Sequence, residues 1–177
     1  GYDLLGVVTG SEGLLGVVTA VTVRLLTRPQ AARAMLLGFA SVEAAGAAVG
    51  DIIAAGVIPA GLEMMDRPAI LAAEAFVGAG YPTDAEALLI VELDGPEAEC
   101  AELSAHVADL AKARGATTIR TSGSDAERLA FWAGRKAAFP AVGRISPDYY
   151  CMDGTIPRRQ LPHVLTRIAE MGRAYGL

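Results

Sequence analysis

Arg135 is the residue whose neighbours best suit it to bind an acid. It lies in the run Phe131-Trp132-Ala133-Gly134-Arg135-Lys136. On a helix, Phe131 and Arg135 stand one turn apart, as do Trp132 and Lys136. A planar guanidinium beside aromatic side chains can take both oxygens of a carboxylate at once. The same spacing also suits a solvated helix face with a stacked arginine, and composition alone favours that plainer reading. Lys136 is the weaker candidate, because one step along a helix turns the side chain by about 100°. A second candidate is Gly10-Ser11-Glu12-Gly13-Leu14-Leu15-Gly16-Val17-Val18-Thr19. Glycines this dense beside an apolar run mark either a tight turn before a strand or a loop whose N–H groups face a bound cofactor. The stretch is not a P-loop, because no Gly-Lys-Ser/Thr follows. Nor is it a Rossmann fingerprint, because the glycines lead into a strand pattern and not a helix.

Other polar residues carry less. Asp153 sits among apolar positions that fit a strand, which suits a structural role better than a catalytic one. Glu12 belongs to a Ser-Glu-Gly turn of the kind held by its own side-chain hydrogen bonds. Glu63, Met64 and Met65 fall on a strand, where methionine is more often core filler than ligand. His106 and His163 have no partner at metal-ligand spacing, and Cys100 and Cys151 form no CxxC. These thiols read as free in a reducing compartment, and no metal site is expected within the chain.

A chain of 177 residues, 53% hydrophobic and 20% charged, is long enough to bury a core and too apolar for disorder. Its net charge of −5 and lack of a Lys/Arg run argue against nucleic acid. No apolar stretch approaches the roughly 18 residues of a transmembrane helix, and no basic segment followed by an apolar block opens the chain as a signal peptide does.

The elements that must position these residues follow in order. Val17 to Leu26 alternates β-branched residues as a strand, ended by Pro29, which cannot donate to a ladder. Arg33 to Ala40 reads as a strand. Ser41 then caps a helix running to about Ala55, with Gly56 just past its end. Val57 to Met65 is a strand, and Asp66 caps a short helix with Pro68 in its first turn. Ala87 to Leu93 is a strand, followed by a helix from Glu97 to about Arg114, in which Leu103, Val107 and Leu110 share a face. Thr117 to Thr121 is a fourth strand. From residue 33 the order is β-α-β twice, the split pattern of a ferredoxin-like antiparallel sheet with helices on one face, an α+β fold. A long helix from Ser124 or Asp125 to about Val142, a strand from Tyr149 to Ile156 and a helix from about Pro157 to Tyr175 complete it.

Two stretches carry a resemblance to a known family. Gly1-Tyr2-Asp3-Leu4 with Gly10 to Thr19 resembles the end of the flavin-binding domain of FAD-linked 2-hydroxy-acid oxidases and dehydrogenases, which are vanillyl-alcohol-oxidase-like flavoproteins. Within them it looks most like the FAD subunit of glycolate oxidases. Trp132-x-x-Arg135 on a helix, followed by Asp153-x-x-Ile156-Pro157, resembles the cap domain of the same enzymes. The resemblance implies residues 1–30 as the partial C-terminal end of the FAD-binding domain and 31–177 as a truncated substrate domain. It implies FAD in the full-length protein, in contact with Gly10, Ser11, Glu12, Gly13, Gly16, Val17 and Val18. At Leu14 the family usually has Thr. It implies that Arg135 binds the carboxylate of a small 2-hydroxy acid, glycolate or D-lactate. The general base and any metal are expected in a His-x-Gly-Asp-Gly-Asn-x-His segment beyond the last helix, so the chain is expected to be a middle fragment, inactive alone. Partners implied are a second flavin-type subunit and an iron–sulfur subunit, in the cytoplasm or held at the inner membrane by those subunits. A ferredoxin-like small-molecule-binding or regulatory module without redox activity is the alternative, since such sheets serve many functions.

Overall fold

The computed structural model of the chain describes residues 1–157 and 160–176. In chain order its elements are α1 (Leu4–Val8), β1 (Ala31–Phe39), α2 (Val42–Ala54), β2 (Gly61–Asp66), α3 (Arg67–Val77), β3 (Ala87–Gly95), α4 (Glu97–Ala113), β4 (Ala116–Thr121), α5 (Asp125–Lys136), α6 (Ala138–Ile145) and α7 (Leu161–Tyr175). The strands form one antiparallel sheet in the order β2-β3-β1-β4, the ferredoxin-like arrangement that the twofold β-α-β pattern predicts.

Local chemistry sets the element ends. The side chains of Ser41, Asp66 and Ser124 accept from the N–H groups of Ala44, Ala69 and Glu127, satisfying donors that a helix start leaves unpaired. β1 and β3 are buried along nearly their whole length and read as continuous apolar runs for that reason. Alternate residues feed two cores. Met35, Leu37 and Phe39 with Leu89 and Val91 pack beneath α2 and α4 around Ala45, Ile52 and Val107. Leu36, Leu88, Ile90 and Met65 pack on the opposite face around Ile70, Ala73, Tyr81 and Phe131. Helices therefore cover both faces, not one: α3 and α5 form a second layer over apolar residues that would otherwise face water.

Three further expectations are corrected. Residues 17–26 form no strand; they are exposed and lie outside the sheet. Alternation records the capacity to pair, and among the described residues no strand lies beside this run. Residues 149–156 form no strand for the same reason. The long helix breaks at Ala137 into α5 and α6. Pro140 cannot donate to the carbonyl four residues back, so it sits instead in the first turn of a new helix. Two boundaries also move, β2 beginning at Gly61 and α7 at Leu161.

Candidate functional site

The outer face of the sheet turns polar at one end, under α5. Gly61 of β2 pairs with Glu92 of β3, and Glu63 pairs with Ile90. Gly61, Glu63, Ile90 and Glu92 share the face that carries Leu36 and Leu88, because side chains alternate along a strand. On α5, Arg128, Trp132 and Arg135 fall at spacings of four and three and so lie along one stripe. The two rows meet. Trp132 Nε1–H donates to Glu92 Oε2 at 2.6 Å, and Arg128 Nη1 donates to the same oxygen at 3.0 Å. Arg135 Nε–H donates to Glu63 Oε2 at 3.1 Å.

Close packing fixes the helix over these carboxylates. A Cβ on Gly61 would stand 2.9 Å from Trp132 Cζ2, and one on Gly134 would stand 2.4 Å from Tyr81 Oη. Tyr81 is buried and donates its hydroxyl to the Phe131 carbonyl. Burial pushes its pKa up to about 12. Arg128 is held above its ordinary value chiefly by its hydrogen bond to Glu92, as a charge-assisted bond in a partly dry site requires.

Arg135 differs from the other arginines around α5. Arg128 spends Nη1 on Glu92 and Nε on Asp125. Arg120 spends Nη1 on the Gly80 carbonyl and Nη2 on Glu127. Among the described residues, Arg135 uses Nε alone, which leaves the four N–H donors of its Nη1/Nη2 edge without a partner. Its side chain is 35% exposed and lines an open cleft of about 1370 Å³. The cleft runs along the unpaired edge of β2, with Glu63 and Met65 on one wall and Leu165 and Ile168 of α7 on the other. α7 is docked on α2 by Pro162 against Gly46 and by the Thr166 hydroxyl, which donates to Glu43 at 2.5 Å.

Sequence reasoning selected Arg135 and passed over its partner. Glu63 and Glu92 interrupt the apolar row that Met65, Leu88 and Ile90 form on one face of these strands, and that interruption was the available signal. Lys136 points to solvent, one step off the stripe. Met65 is buried and Met64 packs against the inner core, as filler. Asp153 is exposed in a coil, and His106 and His163 are exposed on α4 and α7. Among the described residues no group of His, Cys, Asp or Glu could hold a metal, and no helix is long and apolar enough to cross a membrane.

The second candidate stretch is a largely exposed loop after α1. Gly10 and Gly13 have φ of +81° and +82°, and Glu12 joins them at +51°. Ser11 N–H and Leu14 N–H bond to the carbonyls of Val8 and Ser11 at 3.1 and 2.9 Å. The N–H groups of Glu12, Gly13 and residues 15–18 have no partner among the described residues. All of residues 12–18 are exposed. The structure does not bring this loop together with Arg135 in a single pocket.

Residues 28–177 match the family model of FAD linked oxidases, C-terminal domain. The chain is 62% identical to glycolate oxidase subunit GlcD of Escherichia coli (strain K12), over all of this chain and 36% of that protein. It is 33% identical to the GlcD of Bacillus subtilis, over all of this chain and 38% of that protein. It is 25% identical to a D-lactate dehydrogenase of Anaerostipes hadrus, over 94% of this chain and 36% of that one. It thus spans little more than a third of the length of these relatives. The fold resembles a solved alkyldihydroxyacetonephosphate synthase with a TM-score of 0.68 at 18% identity, over 97% of this chain and 36% of that chain. The chain belongs to the FAD-linked oxidase C-terminal domain family.

Proposed function

We propose that this chain is the substrate-binding part of an FAD-dependent oxidoreductase that oxidises a small 2-hydroxy acid, glycolate or D-lactate, to the 2-oxo acid. One observation carries the reading: a family member presents, in an open cleft, an arginine whose terminal fork has no partner among the described residues. In this account residues 1–30 end the FAD-binding domain and residues 31–177 form the substrate domain. The two Nη groups of Arg135 bind the carboxylate side by side, which fixes the α-carbon and its hydroxyl relative to the carboxylate. Glu63 and Trp132 hold the arginine and its helix in place. FAD, when bound, supplies the hydride acceptor. The unpartnered N–H groups around Glu12 and Gly13 fit one side of such a cofactor, because they are exposed donors with little side chain around them. Gly10, Ser11, Gly16, Val17 and Val18 complete that strip. The base that takes the hydroxyl proton belongs to another part of the full-length protein, so the 177-residue chain alone gives no turnover. We place the enzyme in the cytoplasm, working with a second flavin-type subunit and an iron–sulfur subunit.

The test is anaerobic reduction of the full-length flavoprotein. Glycolate or D-lactate is expected to bleach the oxidised flavin band, while small 2-amino acids leave it unchanged. Protein purified without flavin that shifts its melting temperature with an amino acid, and not with a hydroxy acid, would instead mark a regulatory binding module.

A further inference from the structure

The geometry points to Glu63 as the positioning residue of the substrate anchor: we infer that it holds Arg135 through Nε so that the Nη edge stays presented to an incoming monocarboxylate. The inference rests on the assignment of Arg135 proposed above. An arginine side chain has several rotatable bonds and, unheld, loses much of its freedom only when it binds. Here the backbone of α5 is already fixed by Trp132 lying over Gly61 and by Tyr81 lying against Gly134. The remaining freedom is in the arginine's own side chain. Glu63 removes it by a single contact of 3.1 Å at Nε, the one guanidinium N–H donor that an end-on carboxylate does not use.

The location of Glu63 argues for more than a surface ion pair. Both groups are partly covered, at 35% and 39% side-chain exposure, and both line the cleft. Glu63 lies on the same face as Gly61 and Met65, where an apolar residue would extend the outer core. The parallel pair at the other end of the stripe, Arg128 with Glu92, has its arginine consumed at two nitrogens and is more deeply covered, at 20% and 19%. One pair locks the helix to the sheet, whereas the other leaves a fork available. Glu63 also offsets the charge of Arg135, so that a dianionic acid meets a nearly neutral site and a second carboxylate gains little.

The test uses the full-length flavoprotein and four variants, with KM and kcat for glycolate measured separately. Glu63→Met keeps the length and packing of the side chain but removes the acceptor. It is expected to raise KM about tenfold to a hundredfold, the cost of a misplaced binding group, with a smaller change in kcat and an unchanged flavin content. Glu63→Gln keeps an acceptor for Nε–H and is expected to restore KM to within about threefold of the parent. In the double variant Glu63→Met/Arg135→Ala, KM is expected to equal that of Arg135→Ala alone, because a positioning residue has nothing left to position. Additive effects in the double variant, or an unchanged KM in Glu63→Met, overturn the inference. Should Glu63→Met not accumulate as flavoprotein, Glu63→Ala takes its place in both comparisons, and a tenfold rise of KM in Glu63→Gln overturns the inference as well. The two assignments separate cleanly: an unchanged KM in Arg135→Ala refutes the anchor itself, whereas a raised KM in Arg135→Ala with none in Glu63→Met refutes the positioning alone.

Discussion

Gly134→Ala and Gly50→Ala make the same chemical change on two helices and are expected to move stability in opposite directions. Gly50 is exposed on α2, and a Cβ there meets nothing within 4 Å. Alanine should therefore contribute only its better helix propensity, about 1 kcal/mol. At Gly134 the new Cβ would stand 2.4 Å from Tyr81 Oη and 2.5 Å from two ring atoms. Tyr81 is buried in the outer core and cannot swing aside without leaving its place against Phe131. Overpacking of this kind costs about 1–3 kcal/mol. Displacing the hydroxyl from the Phe131 carbonyl adds about 0.5–1.5 kcal/mol. The propensity gain offsets about 1 kcal/mol of that, leaving a net loss of about 2 kcal/mol. In a chain of this size the melting temperature should rise by about 2–4 °C for Gly50→Ala and fall by about 4–8 °C for Gly134→Ala. Thermal and urea unfolding of the 177-residue chain, followed by circular dichroism, measures both. A Gly134→Ala variant as stable as Gly50→Ala would refute the close seating of α5 on Tyr81, and with it the fixed placement of Arg135.

Two further outcomes follow from burial. The Tyr81 hydroxyl, raised from 10.0 to about 12 in the folded chain, favours the fold fully below its unfolded value and progressively less as pH climbs from 10 towards 12. Tyr81→Phe should lose about 1 kcal/mol at neutral pH and flatten that alkaline decline; an equal alkaline decline in the variant would exclude Tyr81 as its source. Cys100 is buried, and burial raises its thiol pKa, whereas Cys151 is exposed. A maleimide should therefore label the folded chain once, at Cys151, and reach Cys100 only on unfolding, as read by peptide mass. Rapid double labelling would contradict the packing of Cys100 beneath β1 and β3.

Much of this arrangement was legible in the sequence because local signals and global pattern agreed. Ser41 and Asp66 cap the helices they were expected to cap, Ser124 caps the helix expected to begin there or at Asp125, and the repeated β-α-β order matches the sheet topology. Other features depended on partners that periodicity does not report. Val17 to Leu26 alternates as a strand does, yet a strand exists only where another lies beside it. Pro140 was visible, and its missing N–H predicts the break between α5 and α6; the apolar run around it masked that signal. Arg135 was singled out as a candidate by its aromatic neighbours together with the resemblance of the Trp132-x-x-Arg135 stretch to the cap domain. Glu63 was not, because its significance lies in which strand face it occupies and which helix crosses there. That crossing is set by Gly61 and Gly134, whose missing side chains matter only once the opposing Trp132 and Tyr81 are known.

The central claim is that Arg135 recognises a carboxylate, and discrimination between an acid and its uncharged analogue tests it most directly. In the full-length flavoprotein, kcat/KM should be measured for glycolate and for glycolaldehyde, with Arg135 intact and as Arg135→Ala. Loss of a paired, charge-assisted contact should lower kcat/KM for glycolate by about a hundredfold or more, while the value for glycolaldehyde changes little, so that the preference collapses. A preference for glycolate that survives Arg135→Ala undiminished would place carboxylate recognition elsewhere and contradict the account.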